Sequence, residues 1–329
     1  MSEGKSQMSE PGESDHHLMA RVARSYYIDD ATKVQIAAEF GISRFKVARL
    51  LDLSRSTGMV KIELNDRGII DNDLSEKLRQ RLGLIETIVV SANGSDDERR
   101  REVGRLAANL LRDTLHDGDV LGLAWGRTLT AMTEELTALP SVSVVQLTGA
   151  VGSNLAESPV EVVRRASFHA GADARAIFAP LLVDDPATAS ALRRQADVAS
   201  AMALFRDVTV AVVSVGSWNP PISQLREIMN EADRAELEAR GVQAEVAGIL
   251  IDREGRHVGE NFVARCISIS AVELAKVPRV IAVAAGAEKA MAILSVARSR
   301  LISSLVVDQS LAESILLLGA DPITGDRRG

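Results

Sequence analysis

The chain has 329 residues, with 38 Lys plus Arg against 45 Asp plus Glu and a formal charge of −7. That balance excludes a uniformly basic nucleic-acid coat but leaves room for a local cationic face. A hydrophobic share of 46% with 25% charged residues excludes global disorder and suits one large domain or two. Aromatics are scarce, so the core must be aliphatic. One cysteine, Cys266, excludes an intramolecular disulfide and a cysteine-based zinc cluster, and its apolar setting reads as a buried structural thiol. No run approaches the roughly 18 apolar residues of a membrane span. The polar, acidic start lacks the apolar core of a signal peptide, so a cytoplasmic protein without metal or cofactor is expected.

Residues 1 to about 14 read as a flexible tail, and a compact helical segment follows from Asp15 to Leu64. Leu18, Val22, Ser25 and Tyr26 suggest a supporting helix. Between Lys33 and Ser54, the small Ala37 precedes Gly41 by four, with Ile36, Phe40, Ile42, Val47 and Leu50 around them. That is helix-turn-helix spacing, with a tiny residue where two helices cross and a glycine in the tight turn. Ser43 stands where the second helix needs its N-cap.

The window Lys33–Lys61 holds Lys33, Arg44, Lys46, Arg49, Arg55 and Lys61 against Glu39 and Asp52, a local excess of four positive charges. A cationic helix narrow enough for the major groove neutralises phosphates while its first residues reach base edges. Arg44 and Lys46 are candidates for base contact, Arg49 and Lys61 for phosphate, with Phe45 also outward. A plain helical bundle with an incidental charged face is the bland reading. Gly58 to Leu64 alternates apolar and polar residues, like a wing strand. His16-His17 and Tyr26-Tyr27 read as a solvated tail and a packed pair.

Polar residues Asn65 to Gly68 mark a boundary, giving a tail (1–14), a DNA-binding domain (15–68) and an effector domain (69–329). A connecting helix is expected over Asn72–Leu82. Strands are expected at Thr87–Val90, Val120–Leu123, Val142–Leu147, Ala174–Phe178, Val208–Val215, Gly248–Ile251, Val280–Ala284 and Ser304–Val307. Helices are expected at Asp97–Leu115, Thr128–Leu139, Pro186–Phe205, Glu231–Arg240, Ile269–Ala275 and Lys289–Arg300. Continuous apolar strands alternating with helices predict an α/β fold, a parallel sheet covered on both faces.

Three strand-to-helix junctions are rich in Gly and hydroxyls: Leu121 to Thr128, Gln146 to Gly152, and Ala285 to Lys289. Backbone N–H groups at such junctions favour anions. Thr128, Arg127 and Lys289 add a hydroxyl and two cations. The loops Val215-Gly216-Ser217-Trp218 and Asp252 to Gly255 also follow apolar strands, and Asp252 suits a sugar hydroxyl. Each loop alone is an ordinary α/β connection, and none is a Walker motif or a dinucleotide fingerprint.

The ordered segments IAAEFGISRFKVARLL, LGLAWGRTL, QLTGAVG, VGSW, LIDREGRHVG, AAGAEKAMAI and LISSLVVDQSLAESILLL resemble the SorC-type sugar-responsive bacterial transcriptional regulators from about Asp15 to Leu318. The resemblance implies a winged helix-turn-helix joined to a Rossmann-like effector domain similar to sugar-phosphate isomerases. It further implies a phosphorylated-sugar effector, a palindromic operator and a homo-oligomer, dimer or tetramer. By motif position it implies effector contacts from Gly126, Arg127, Thr128, Gly286 and Lys289, with Asp252 as the acidic contact. The neighbouring Gln146, Gly149, Gly216 and Ser217 complete the candidate set. Ala285 stands where the family's A-G-G-x-x-K pattern has its first glycine.

The leading expectation is therefore a DNA-binding regulator, not an enzyme, whose operator affinity or assembly responds to a phosphorylated sugar. The alternative is a sugar-phosphate isomerase or lactonase with an appended helical module, for which Asp252, His257 and Glu260 are the tempting acid–base set without a diagnostic spacing. A nicotinamide-sensing repressor would need a glycine fingerprint that the sequence lacks.

Overall fold

Residues 13–60, 68–92, 94–151 and 154–318 are described in the computed structural model. The chain divides into two compact units, residues 1–65 and 66–329.

In the smaller unit, α1 (Glu13–Tyr27), α2 (Lys33–Phe40) and α3 (Arg44–Ser56) enclose Met19, Val22, Ala23, Ile36, Val47, Leu50 and Leu51. A reciprocal cap opens α2: the Gln35 N–H donates to the Thr32 hydroxyl at 3.3 Å, and the Thr32 N–H donates to the Gln35 side chain at 2.9 Å. Gly41 closes α2 at φ 63°, in the left-handed region that favours glycine, and its N–H reaches Ala37 O. Two residues on, the Ser43 hydroxyl accepts the Lys46 N–H at 3.1 Å and starts α3. Tyr26 and Tyr27 meet edge to face at 5.0 Å and pack on this core. Of the expected wing strand, Gly58–Val60 form a turn, and Lys61–Leu64 lie outside the described residues.

In the larger unit the described strands are β1 (Ile69–Ile70), β2 (Glu86–Ser91), β3 (Val120–Leu123), β4 (Ser143–Gln146), β5 (Ala174–Arg175), β6 (Val210–Ser214), β7 (Gly216–Ser217), β8 (Val242–Val246), β9 (Ile249–Asp252), β10 (His257–Val258), β11 (Arg279–Ala284) and β12 (Ser304–Asp308). The main sheet runs β1-β2-β12-β11-β6-β3-β4-β5, parallel throughout except for β1. Along β11, Val280, Ala282 and Ala284 enter one core while Ile281 and Val283 enter the other, so both faces are covered. That two-sided burial explains the unbroken apolar runs. From β3 the chain moves outward through β4 and β5, whereas from β6 it continues through β11 and β12 on the other side. The carboxyl ends of β3 and β6 therefore flank a topological switch point, where open α/β sheets form their ligand crevice.

A small antiparallel sheet, β10-β9-β8-β7, was not expected from the pattern. Helices of this unit include α4 (Asn72–Leu82), α5 (Asp96–Thr114), α6 (Arg127–Glu134) and α7 (Pro159–Ala170). The expected single helix over Pro186–Phe205 is instead two, Pro186–Arg193 and Ala196–Ala203, because Gln195 takes an extended backbone (φ −64°, ψ 138°) and restarts the turn. The expected Ala174–Phe178 strand is short, pairing only at Ala174 and Arg175.

The crossing of α5 with α6 hinges on Gly104, where a Cβ would lie 2.7 Å from Met132 N and 2.8 Å from the Ala131 carbonyl carbon. In an open helix, Gly→Ala stabilises by about 1 kcal/mol. Here the added methyl meets backbone, so Gly104→Ala is expected to lower stability by about 1–3 kcal/mol. Thermal unfolding decides the sign.

Candidate functional site

Three adjacent parallel strands, β11, β6 and β3, end at one cleft. After β3, Gly126 sits at φ 137°, and a Cβ there would come within 2.2 Å of Ser214 Oγ, so the β3–α6 turn closes only with glycine. No side chain caps α6, whose first N–H groups follow this turn. An open helix N-terminus carries partial positive charge and favours an anion. Thr128 is buried at its first turn, and Arg127 is exposed at the rim. From α5, Arg100 lines the same cleft while paired with Asp97.

Below β11, Gly286 adopts φ 104° and its N–H donates to Asp308 Oδ2 at 2.7 Å. Ala285 beside it is buried, so the turn forms with one glycine rather than two. Lys289 follows, its backbone N–H on Gly286 O at 3.1 Å and its Nζ donating to Val215 O at 3.0 Å. Burial pushes the Lys289 ammonium down to about 8, aided by Arg127 and Arg100 and opposed by Glu288 and Glu245.

The cleft also holds Glu245, from β8, at only 4% exposure. Its Oε1 accepts the Ser223 hydroxyl at 3.3 Å, and Oε2 is buried with no hydrogen-bond partner. Gly216 is required opposite it, since a Cβ there would lie 2.3 Å from Glu245 Oε1. Burial raises the Glu245 carboxyl to about 7, against the Gly248 N–H, Ser223 and Lys289. The cleft thus presents cations and an open helix end on one side and a desolvated carboxyl with a spare acceptor on another. Its enclosed volume is about 30 Å³, and beyond that the cleft opens to solvent.

Of the sequence-predicted residues, Gly126, Arg127, Thr128, Gly216 and Lys289 line this cleft, and Gly286 forms the turn that carries Lys289. Ser217 is the next residue along β7, with a buried hydroxyl that lacks a partner. Gln146 and Gly149 do not line it. The Gln146 amide ties Thr148 and Ile177 backbone together, and Gly149 packs so tightly on Pro180 that a Cβ would meet its carbonyl at 2.6 Å. Asp252 is not among the residues that line this cleft; its carboxylate accepts the Glu254 N–H at 3.0 Å, the Arg256 N–H at 2.8 Å and Arg256 Nε at 2.7 Å within its own hairpin. The cleft's carboxyl is Glu245, whose signal was a lone acid inside the Val-Gln-Ala-Glu-Val run. Arg100 was masked by its neighbours in an Arg99-Arg100-Arg101 run.

In the smaller unit, Arg44, Phe45 and Arg49 are exposed on α3 and Lys46 is half-buried beside its cap. Arg55 pairs with Asp52, and Lys33 lies 5.7 Å from the Tyr26 ring centroid. Lys61 lies outside the described residues.

Residues 68–317 match the family described as "Putative sugar-binding domain". The chain belongs to this sugar-binding domain family. Its relatives are SorC-type transcriptional regulators: it is 28% identical to the transcriptional regulator LsrR of Enterobacter sp. (strain 638), over 93% of this chain and 94% of that one. It is likewise 28% identical to the sorbitol operon regulator of Klebsiella pneumoniae, over 92% and 98%. The crystal structure of the full-length sorbitol operon regulator SorC from Klebsiella pneumoniae superposes with a TM-score of 0.70 at 27% identity, covering 93% of this chain and all of the other. The mixed α/β fold with its parallel sheet is thus that of the sugar-binding domain family, and no helix among the described residues is long and apolar enough to cross a membrane.

A pH dependence follows from Glu245. Its folded-state value lies above the unfolded one, so its contribution is complete below about pH 4.5 and is lost as pH rises through about 7. Lys289 keeps its proton in both states below about 8, so it adds no slope in that window. Relative to the parent, Glu245→Gln is expected to gain up to about 3 kcal/mol between pH 5 and 8. Thermal unfolding across that range tests it; a constant difference would contradict the buried carboxyl.

Proposed function

We propose that this chain is a DNA-binding transcriptional regulator controlled by a phosphorylated sugar. The observation that carries the reading is the cleft at the β3, β6 and β11 ends, which Arg100, Arg127, Lys289 and the uncapped start of α6 line together with the buried Glu245 acceptor. A phosphate suits the cations and the helix end. A sugar hydroxyl suits a desolvated carboxyl with one oxygen, Oε2, that no protein donor reaches. The effector-contact set is Gly126, Arg127, Thr128, Gly216, Gly286 and Lys289, extended by Arg100 and Glu245.

The reading head is the α2–α3 pair, a winged helix-turn-helix in residues 15–68, with residues 69–329 as an isomerase-like effector domain. Arg44 and Lys46 reach base edges; Lys33, Ser43, Arg49, Arg55 and Lys61 hold phosphates. One such head reads a half-site, so two-fold pairing on a palindromic operator follows, in a dimer or tetramer acting in the cytoplasm. The effector acts through its differential affinity for the assemblies that bind and release DNA.

A second reading, a sugar-phosphate isomerase, is favoured by one observation: a carboxyl near 7 and an ammonium near 8 share the cleft. Turnover of pentose or hexose phosphates by the purified protein would establish it; the exposed cationic face of α3 supports the regulator.

Phosphorylated sugars, but not their unphosphorylated parents, are expected to raise the melting temperature. Lys289→Ala should abolish that shift while leaving operator binding intact. Arg44→Ala should do the reverse, weakening operator binding by roughly 5- to 150-fold, as for a lost base contact of about 1–3 kcal/mol. Binding should fall steeply between about 50 and 200 mM salt. A flat salt profile, or equal shifts from neutral sugars, would overturn the reading.

A further inference from the structure

The outward stripe of α3 is built from Phe45, Arg49 and Asp52, spaced i, i+4 and i+7, while Val47, Leu50, Leu51 and Ser54 face the core. Asp52 is neutralised by Arg55. At the start of this stripe Phe45 is 90% exposed, the most exposed large apolar side chain among the described residues. It sits in the first turn of the helix, between Arg44 and Lys46 and two residues after the Ser43 cap. Among the described residues of the smaller unit, the core closes on Val47 and Leu50 without the ring.

A phenyl ring flanked by two cations fits a partner that is anionic around its border and apolar at one point. A phenyl has no donor or acceptor, so phosphates, sugar hydroxyls and most base edges offer it nothing. The apolar group that projects from a base edge into the major groove is the thymine 5-methyl. The first-turn residues of a helix inserted in that groove are the ones that reach base edges. Arg44 and Lys46 on either side bring the ring to the groove without themselves needing an apolar surface.

We propose that Phe45 is a sequence-determining residue that reads a thymine methyl in each operator half-site. The proposal rests on the DNA-reading function above and adds to it the base that the apolar contact selects. Phe45 carries no charge, so it affects which sequence is bound and leaves the salt dependence to its neighbours. Its exposure also makes Phe45→Ala a substitution that the core does not feel.

The test uses the full-length protein. A random duplex pool is selected with the parent, and the consensus is then rebuilt with deoxyuridine in place of each thymine, one position at a time, removing only the 5-methyl. One thymine per half-site is expected to lose about fourfold in affinity on this change, the worth of one buried methyl group. Phe45→Ala should lose that discrimination, binding thymine and deoxyuridine duplexes equally. Phe45→Leu, which keeps an apolar tip, should retain part of it, and the salt slope should be unchanged in both variants. The same deoxyuridine penalty in Phe45→Ala as in the parent would overturn the proposal, as would a consensus without a methyl-sensitive thymine. So would a change of oligomeric state in Phe45→Ala with unaltered sequence preference, which would assign the ring to a second copy of the chain. A parent that enriches no sequence at all would overturn the DNA-reading function itself, a result distinct from any of these.

Discussion

A half-buried lysine and a buried glutamate are held at the carboxyl ends of three neighbouring parallel strands. Lys289 is anchored by its bond to Val215 O, and Glu245 by Ser223 and the backbone around Gly248. Neither arrangement neutralises its group fully: one is a cation crowded by arginines, the other a carboxyl with an idle oxygen. Buried polar groups left short of partners cost free energy in the folded state. Such a cost persists where a bound molecule supplies what the protein withholds. The glycines at 126, 216 and 286 belong to the same device, because each lets backbone or side chain approach where any Cβ would intrude or a positive φ is needed.

The sheet topology explains why these groups meet. Strands β3 and β6 are neighbours, yet their successors run to opposite sides, so no helix crosses over their ends. Into that gap come a helix start from β3, the short strand β7 that follows β6, and a glycine turn from β11. Residues from about 100 to 289 are thereby gathered into one cleft. The fold supplies the meeting place, and the chemistry comes from a few side chains that could differ without changing it.

Much of the parallel sheet was legible because its strands are buried on both faces and read as uninterrupted aliphatic runs. Val120–Leu123 coincides with the observed strand, and Val280–Ala284 misses only Arg279. Of the small antiparallel sheet only β9 was legible, as the expected Gly248–Ile251 strand, and β8 was hidden for the opposite reason. Glu245 and Gln243 interrupt β8, and a carboxylate in a strand reads as a solvent face until its neighbours are known to enclose it. Helix α7 had its signals, a Ser158 cap, Pro159 in the first turn and Gly171 at its end, but its outward Phe168 and paired arginines blurred the apolar period. Asp252 illustrates the remaining difficulty. Sequence can supply an acid after a strand, but only the hairpin reveals that Arg256 and two backbone N–H groups have already claimed it.

The charge is divided unevenly along the chain. The helices around Gly41 carry an excess of positive charge within a protein whose total is −7, so the remainder is more acidic than that total. A polyanion therefore attracts that helix pair while repelling the rest of the chain, which favours encounters led by α2 and α3. Added electrolyte weakens both effects together.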